Sequence, residues 1–488
     1  MQSQILSQLE GKLKTASLTM DQLMKHKGEE QKAKKALWKH DERDIGTMIK
    51  GLGGMTGLNK VKYANNKTSL LQIVDEIERW QARYDPTWIL IMQMSIGKID
   101  EELDEQQKKP NKDQIPIVIA AKGIRDAARE RQDRNIQDRE PIWIDADEFD
   151  LMSSPIPFSS VNMSLADEKE MVLVDTMRTH PAAHVNRTIK DVRNLARLLA
   201  EVEPAIFGLL RCRGVIKLPR QLIFDFKFIF EVPRNLSNPQ SLRAVLLAGD
   251  TYPLDERLEL AKRLTSSVLF VHTVQFVHKN IRPETIIIFE NEDSKIGAQF
   301  LAGFEQFRIG DGVSYRSGDE KWEHNLCTYI FVLLNPLTRL DRHPHRQGLH
   351  PEMDYEMQHD IYSLGVVLLE IGLWNSFVVY DSDGQPPSPE PNSILGAKSE
   401  SPRNPIGGPD HVKSKLETLA KSELPGRMGK RYTEIVLLCL RCLDPGTGTD
   451  GDGRGFGVDV PMWTDEDGVV IGVRYIENIL EKIQEIMI

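Results

Sequence analysis

Residues 361 to 373, IYSLGVVLLEIGL, are apolar almost all round the helix they would form. Such a helix is stable only when it is covered on every side, so the rest of the chain must supply a core that encloses it. At 488 residues the chain is long enough for two or three domains and a full-sized core. A second stretch constrains the fold almost as strongly. HKNIRPETIII, 278 to 288, is a polar loop that runs straight into an apolar strand. The helix that leads to it opens at Pro253 and Asp255 and carries one apolar stripe, Leu258, Ala261, Leu264 and Val268.

Together these stretches resemble the protein-kinase family. The loop is similar to the catalytic loop H-R-D-L-x-x-x-N. His278 falls on the His, Lys279 on the Arg and Asn280 on the catalytic Asp, while Arg282 takes the place of the loop cation and Thr285 that of the metal-binding Asn. Leu301-Ala302-Gly303-Phe304-Glu305 resembles L-A-D-F-G, with Gly303 where the metal-binding Asp stands. Asp360, Ser363 and Gly365 match the D-x-x-S-x-G that opens the family's long buried helix. The resemblance implies an α+β, two-lobed protein-kinase-like fold, preceded by an α-helical bundle module. It implies structural roles for His278, Phe304, Asp360 and Gly365, with Asp360 accepting hydrogen bonds from the loop backbone.

The substitutions remove the family's chemistry. Phosphoryl transfer is mostly positioning and charge neutralisation, done by an Asp base, an Asn and an Asp on magnesium, and a strand Lys on the phosphates. Asn280 has no titratable form near neutral pH and cannot act as a base. Gly303 has no side chain with which to hold a hard cation, and Thr285 offers one weak hydroxyl. MVLVD, 171 to 175, sits where the third strand of the small lobe should be, yet no Lys occupies it and no G-x-G-x-x-G precedes it. The degenerate positions His278, Asn280, Arg282, Thr285 and Gly303 therefore give no catalytic residue and no metal ligand, and no cofactor is expected. The favoured reading is a pseudokinase that signals or scaffolds by protein interaction. Two others stand beside it: a divergent active kinase, and a sensor that binds ATP without hydrolysing it, with Arg282 as its remaining cation.

Three regions follow along the chain. Residues 1 to 109 read as helices. RYDPTWILIMQMSIGKIDEEL, 83 to 103, looks like the closing part of the HeLo-type module that fungal proteins carry ahead of a kinase-like domain, a resemblance covering about 35 to 105. In that family the module begins with an apolar helix thought to be membrane-active. Nothing of that kind opens this chain, so membrane contact is not expected, while self-association through the module remains a route to a partner. The plainer alternative is a helical bundle with Trp80 and Trp88 in its core. Residues 110 to 164 read as a charged linker, because Asp and Glu cancel the arginines of KGIRDAARERQDRNIQDRE. Residues 165 to 488 read as the kinase-like domain, with a helix over 185–201 and strands at 214–219 and 226–233. Within it, 381 to 409 is rich in Pro, Ser and Gly and is expected to be a disordered insertion.

Other features read as structural. His343, His345, His350 and His359 lack the accompanying spacing of a metal site and read as loop histidines. Cys439 and Cys442 form a lone C-x-x-C within an apolar helix pattern and read as core thiols. GTGTDGDGRGFG, 446 to 457, fails the calcium-loop pattern and reads as a flexible loop. Ile476, Ile479, Leu480, Ile483 and Ile486 share one face of a last helix that should dock on the body. A formal charge of −10 argues against nucleic acid as a partner. Four cysteines suit a reducing compartment, and no apolar run approaches the ~20 residues a membrane span needs, so a cytoplasmic protein is expected.

Overall fold

The structure, a computed structural model, describes residues 122–124, 126–127, 142–146, 153–165, 170–179, 184–220, 223–274, 276–292, 294–304, 308–309, 357–380, 389–395, 409–444 and 475–487. The helical module and its HeLo-like stretch, His343, His345, His350 and the 446–457 loop lie outside the described residues.

Among the described residues, six strands between 143 and 231 form one sheet. Its strands are β1 (Trp143–Ile144), β2 (Ser154–Pro155), β3 (Asn162–Leu165), β4 (Met171–Met177), β5 (Cys212–Arg220) and β6 (Ile223–Glu231), in the order β1-β5-β6-β4-β3-β2. All neighbours are antiparallel except β1, which pairs parallel to β5 through Trp143–Val215 and Ile144–Ile216. Alternation along the strands sorts the two faces. Val172, Val174, Ile216 and Ile229 form a small cluster on one face. Leu173, Val215, Phe226, Phe228 and Phe230 face the main core, where helix α1 (Val185–Ala200) adds Val192, Leu195, Leu198 and Leu199.

Two expected boundaries are corrected here. The stretch read as a linker up to residue 164 supplies three strands, β1, β2 and β3. Its charged residues dominate the composition, but the apolar Ile142, Ile156 and Val161 are buried and decide where the backbone goes. Within the expected disordered insertion, Pro389–Pro391 pairs with Val378–Tyr380, and Leu395 is buried. Asn392 holds this segment. Its Nδ2 donates to Asn375 Oδ1 (2.9 Å) and to the Ser376 carbonyl (2.7 Å), and its backbone N–H donates to the Phe377 carbonyl (2.9 Å).

The rest of the body is mainly helical and closes around one helix. A short β7 (Ser237–Ser241) leads to α2 (Leu242–Ala248) and α3 (Leu254–Thr273), and β8 is Phe276–Val277. A 3-10 turn, Pro283–Thr285, then opens β9 (Ile286–Glu290), which lies between β7 and β10 (Ala298–Leu301). Helix α4 (Met357–Leu373) is buried at every residue from His359 to Leu373. It packs on α3 and on α5 (Pro409–Leu440), which breaks at Gly429 (φ 83°). Gly365 is required by this packing: a Cβ there would lie 2.6 Å from Cys439 Cβ and 3.2 Å from the Leu440 backbone nitrogen. Tyr432 Oη, on α5, donates to the Leu368 carbonyl (2.8 Å).

Cys439 and Cys442 are both buried in this core, and burial pushes both thiols well above their ordinary value. Thiols held protonated in an apolar setting are poor nucleophiles and poor ligands. The carboxy-terminal segment, a π-helical turn (Ile476–Leu480) continuing into α6 (Glu481–Gln484), buries Ile476, Ile479, Leu480 and Ile483. Tyr475 Oη donates to the Thr265 carbonyl (2.9 Å), and Lys262 Nζ donates to the Ile486 carbonyl (2.7 Å). The class is α+β with a mixed sheet. Among the described residues no helix is long and apolar enough to cross a membrane.

Candidate functional site

The site lies where β4, the loop 278–285 and the segment 301–304 meet. Asp360 organises it from below. It stands in the first turn of α4 and is fully buried. Its Oδ2 accepts from the His278 backbone N–H (2.7 Å) and lies 3.1 Å from His272 Nε2, while Oδ1 accepts from the Lys279 N–H (2.9 Å). The first turn of a helix also favours a carboxylate electrostatically. Lys279 has φ 63°, a left-handed conformation that costs a long side chain of the order of 1 kcal/mol or more. The bond from its N–H to Asp360 helps hold that strain.

His278 is buried, and its ring lies 4.8 Å from that of Phe304. Phe304 also faces Phe230 at 6.3 Å, so its ring joins the sheet side to the loop. Its backbone N–H donates to Asp175 Oδ2 (2.7 Å). Asp175 ends the apolar run of β4 and is fully buried, on the same face of the strand as Leu173. A carboxylate therefore stands on the strand that the resemblance assigns to a phosphate-gripping Lys. Sequence reasoning recorded the missing Lys but passed over Asp175. The signal was present: a charged residue on the core-facing parity of an otherwise apolar strand.

The substituted positions hydrogen-bond to one another. Asn280 Nδ2 donates to the Gly303 carbonyl (3.1 Å). Thr285 Oγ1 lies 2.7 Å from the Asn280 carbonyl and 3.0 Å from that of Arg282, and it accepts from the Arg282 N–H (3.3 Å). The Thr285 carbonyl accepts from the Ala302 N–H (2.8 Å). Gly303 has φ 82°, and a Cβ added there would sit 2.3 Å from Thr285 Cγ2 and 3.2 Å from Asn280 Nδ2. Gly303 and Thr285 thus fit each other. Restoring a carboxylate at 303 is predicted to be destabilising: Gly303→Asp should cost about 1 to 3 kcal/mol through overpacking and the positive φ. Gly303→Asp with Thr285→Ser, which drops Cγ2 and keeps the Oγ1 bonds, should recover part of that, measured as shifts in urea midpoint. A single Gly303→Asp variant as stable as the parent would contradict the fit.

A buried ion-pair cluster adjoins the loop. Arg243, on α2, donates from Nε to Glu284 Oε1 (3.0 Å) and from Nη1 to Glu370 Oε1 (2.5 Å) and Ser376 Oγ (2.6 Å). Glu370 also accepts from the Phe377 N–H (2.8 Å). Burial works against the Arg243 charge, but Glu284 and Glu370 more than offset it and keep the guanidinium charged. The two carboxyls move in opposite directions. Burial would raise Glu284, but Arg243 and Arg282 together hold it below its ordinary value. For Glu370 burial prevails: it meets one guanidinium and also the Glu284 charge, and it is raised. Sequence reasoning missed this cluster. Glu370 is the one formal charge between Ile361 and Leu373, and that was its signal.

Among the described residues no group of three or more His, Cys, Asp or Glu side chains could hold a metal ion. Asp175 is tied to Phe304, and Glu284 and Glu370 to Arg243. Among the described residues these contacts join backbone segments of the loop, the sheet and the helices.

About a quarter of this chain is similar to protein kinases. Over 122 residues, 25% of this chain, it is 24% identical to the eIF-2-alpha kinase GCN2 of Schizosaccharomyces pombe. Over 130 residues, 26% of this chain, it is 25% identical to a probable serine/threonine-protein kinase of Dictyostelium discoideum. The matched part is 7% and 8% of those proteins' own lengths. No family model matches the chain.

Proposed function

We propose that this chain carries a protein-kinase-like domain that does not transfer phosphate and acts by protein interaction, as a signalling or scaffolding pseudokinase. One observation carries the reading: Asn280 uses its amide to bond the Gly303 carbonyl, at the two positions where the family's chemistry needs carboxylates. Further support comes from the order of elements. Four strands, then a helix, then two more strands come in chain order, the six strands forming one sheet, followed by a helix that leads to the loop and a buried helix that anchors it. Asp175 puts an acidic side chain, bonded to the Phe304 N–H, on the strand where a nucleotide's phosphates would require a cation. In this reading no ATP is bound, and the body is a rigid platform for a protein partner.

The experiment is phosphate transfer. Incubated with radiolabelled ATP, magnesium and a generic protein substrate, the full chain should give background counts in the substrate and in itself. Incorporation that disappears in an Arg282→Ala variant would favour a divergent active kinase instead.

A further inference from the structure

The hairpin before β4 is fastened to the opposite side of the site. Its turn, Ile156 to Val161, is closed by the Ser159 N–H on the Ile156 carbonyl (3.0 Å) and by the Ile156 N–H on the Val161 carbonyl (3.3 Å). Ile156 and Val161 are buried in the core. Ser159 Oγ accepts from the Val161 N–H (3.1 Å) and donates to the carbonyl of Glu284, in the loop (2.7 Å). Ser241 Oγ, at the N-cap of α2, donates to the Pro157 carbonyl (2.6 Å). The Phe158 ring meets that of Tyr380, on β11 (Val378–Tyr380), at 4.6 Å, with Phe158 held at φ 56°. Two hydrogen bonds and one ring pair therefore cross from the sheet to the helical side.

The composition of the turn suits a fixed strap. SSPIPFSSV, 153 to 161, contains no Gly and has two prolines, whose φ is already restricted before folding. In the protein-kinase fold the hairpin at this place carries a Gly-rich loop that covers bound phosphates. Here the same turn is hydrogen-bonded to the loop carbonyl of Glu284 and to the N-cap serine of α2.

We propose that the hairpin Ser154–Leu165 is a strap latched across the site, so that the chain's own turn fills the space a nucleotide would need. The latch rests on contacts seen directly. Only its consequence for a nucleotide rests on the kinase-like reading, and the two are measured separately.

The test for the latch is hydrogen exchange on the full chain, compared between peptides covering 153–165 and 361–373. In the wild type the 153–165 amides should be protected. Ser159→Ala should speed their exchange about fivefold, the worth of one ordinary hydrogen bond. Because Ser159 also serves its own turn, the deciding variant is Tyr380→Leu, which alters no residue of the hairpin. It should speed exchange at 153–165 about two- to tenfold, as expected for a lost aromatic pair, and leave 361–373 unchanged. Unprotected amides at 153–165 in the wild type, or no response to Tyr380→Leu, overturns the latch. For the nucleotide, titration with a fluorescent ATP analogue should show no saturable binding to the wild type. Saturable binding with 153–165 still protected overturns the exclusion and leaves the latch standing.

Discussion

Replacing Asp360 with Ala should destabilise the body by about 3 to 5 kcal/mol, because it leaves buried donors without a charged acceptor. Three contacts end on this one carboxylate, from the His278 and Lys279 backbone and from His272. Hydrogen bonds to a charge contribute about 1.5 to 3 kcal/mol each, and a buried N–H left unsatisfied costs about 1 to 3. The loss also releases Lys279 from the left-handed conformation that the bonded loop maintains. Asn280→Ala removes the neutral bond to the Gly303 carbonyl, whose loss should cost about 1 kcal/mol. Urea unfolding of the full chain, followed through amide protection in 254–304 and 357–373, measures both. The ordering decides the matter: if Asn280→Ala is the more damaging, Asp360 is not the anchor of the loop.

That anchor also shows what a sequence discloses. Helix α4 was legible because its apolar character runs round the whole circumference and admits only burial. Helix α3 was legible from a stripe at helical spacing, and β4 to β6 from apolar runs of strand length. The strap was not. Ser159, Ser241 and Tyr380 are ordinary polar surface residues by type, and their meaning comes from partners 84 to 125 residues away in the chain for the two serines. Asp175 was missed for a different reason. Attention to the absent Lys left its replacement unread, although charge on a core-facing strand position is itself a signal. Composition misplaced two boundaries. A few apolar residues, such as Ile156 and Leu395, outweigh the many polar ones around them when each is fully removed from water.

Removing the guanidinium at the centre of the ion-pair cluster should have an effect of similar size but with a different pH signature. Arg243→Met leaves Glu284 and Glu370 buried beside each other, with Arg282 the nearby cation for Glu284. Taking one partner from a buried charge cluster costs about 3 to 5 kcal/mol at neutral pH. In the parent the shift of Glu284 is downward, so its contribution is present above the ordinary carboxylate range and is lost as pH falls through the folded-state value. In Arg243→Met the main cause of that depression is gone, and burial and mutual repulsion should raise both carboxyls. A folded state that binds protons more tightly than the unfolded one gains relative stability as pH falls. The deficit of the variant should therefore be largest at pH 7 to 8 and shrink toward about pH 5, where the buried carboxyls become neutral. Adding Glu370→Gln to Arg243→Met should reduce the neutral-pH deficit, since it deletes one of the two unpaired charges and keeps an acceptor for the Phe377 N–H. Urea midpoints of the parent, single and double variants between pH 5 and 8 provide the measurement. A deficit that is constant across that range would mean the cost lies in lost packing of the arginine stem, and the charge assignment of the cluster would be wrong.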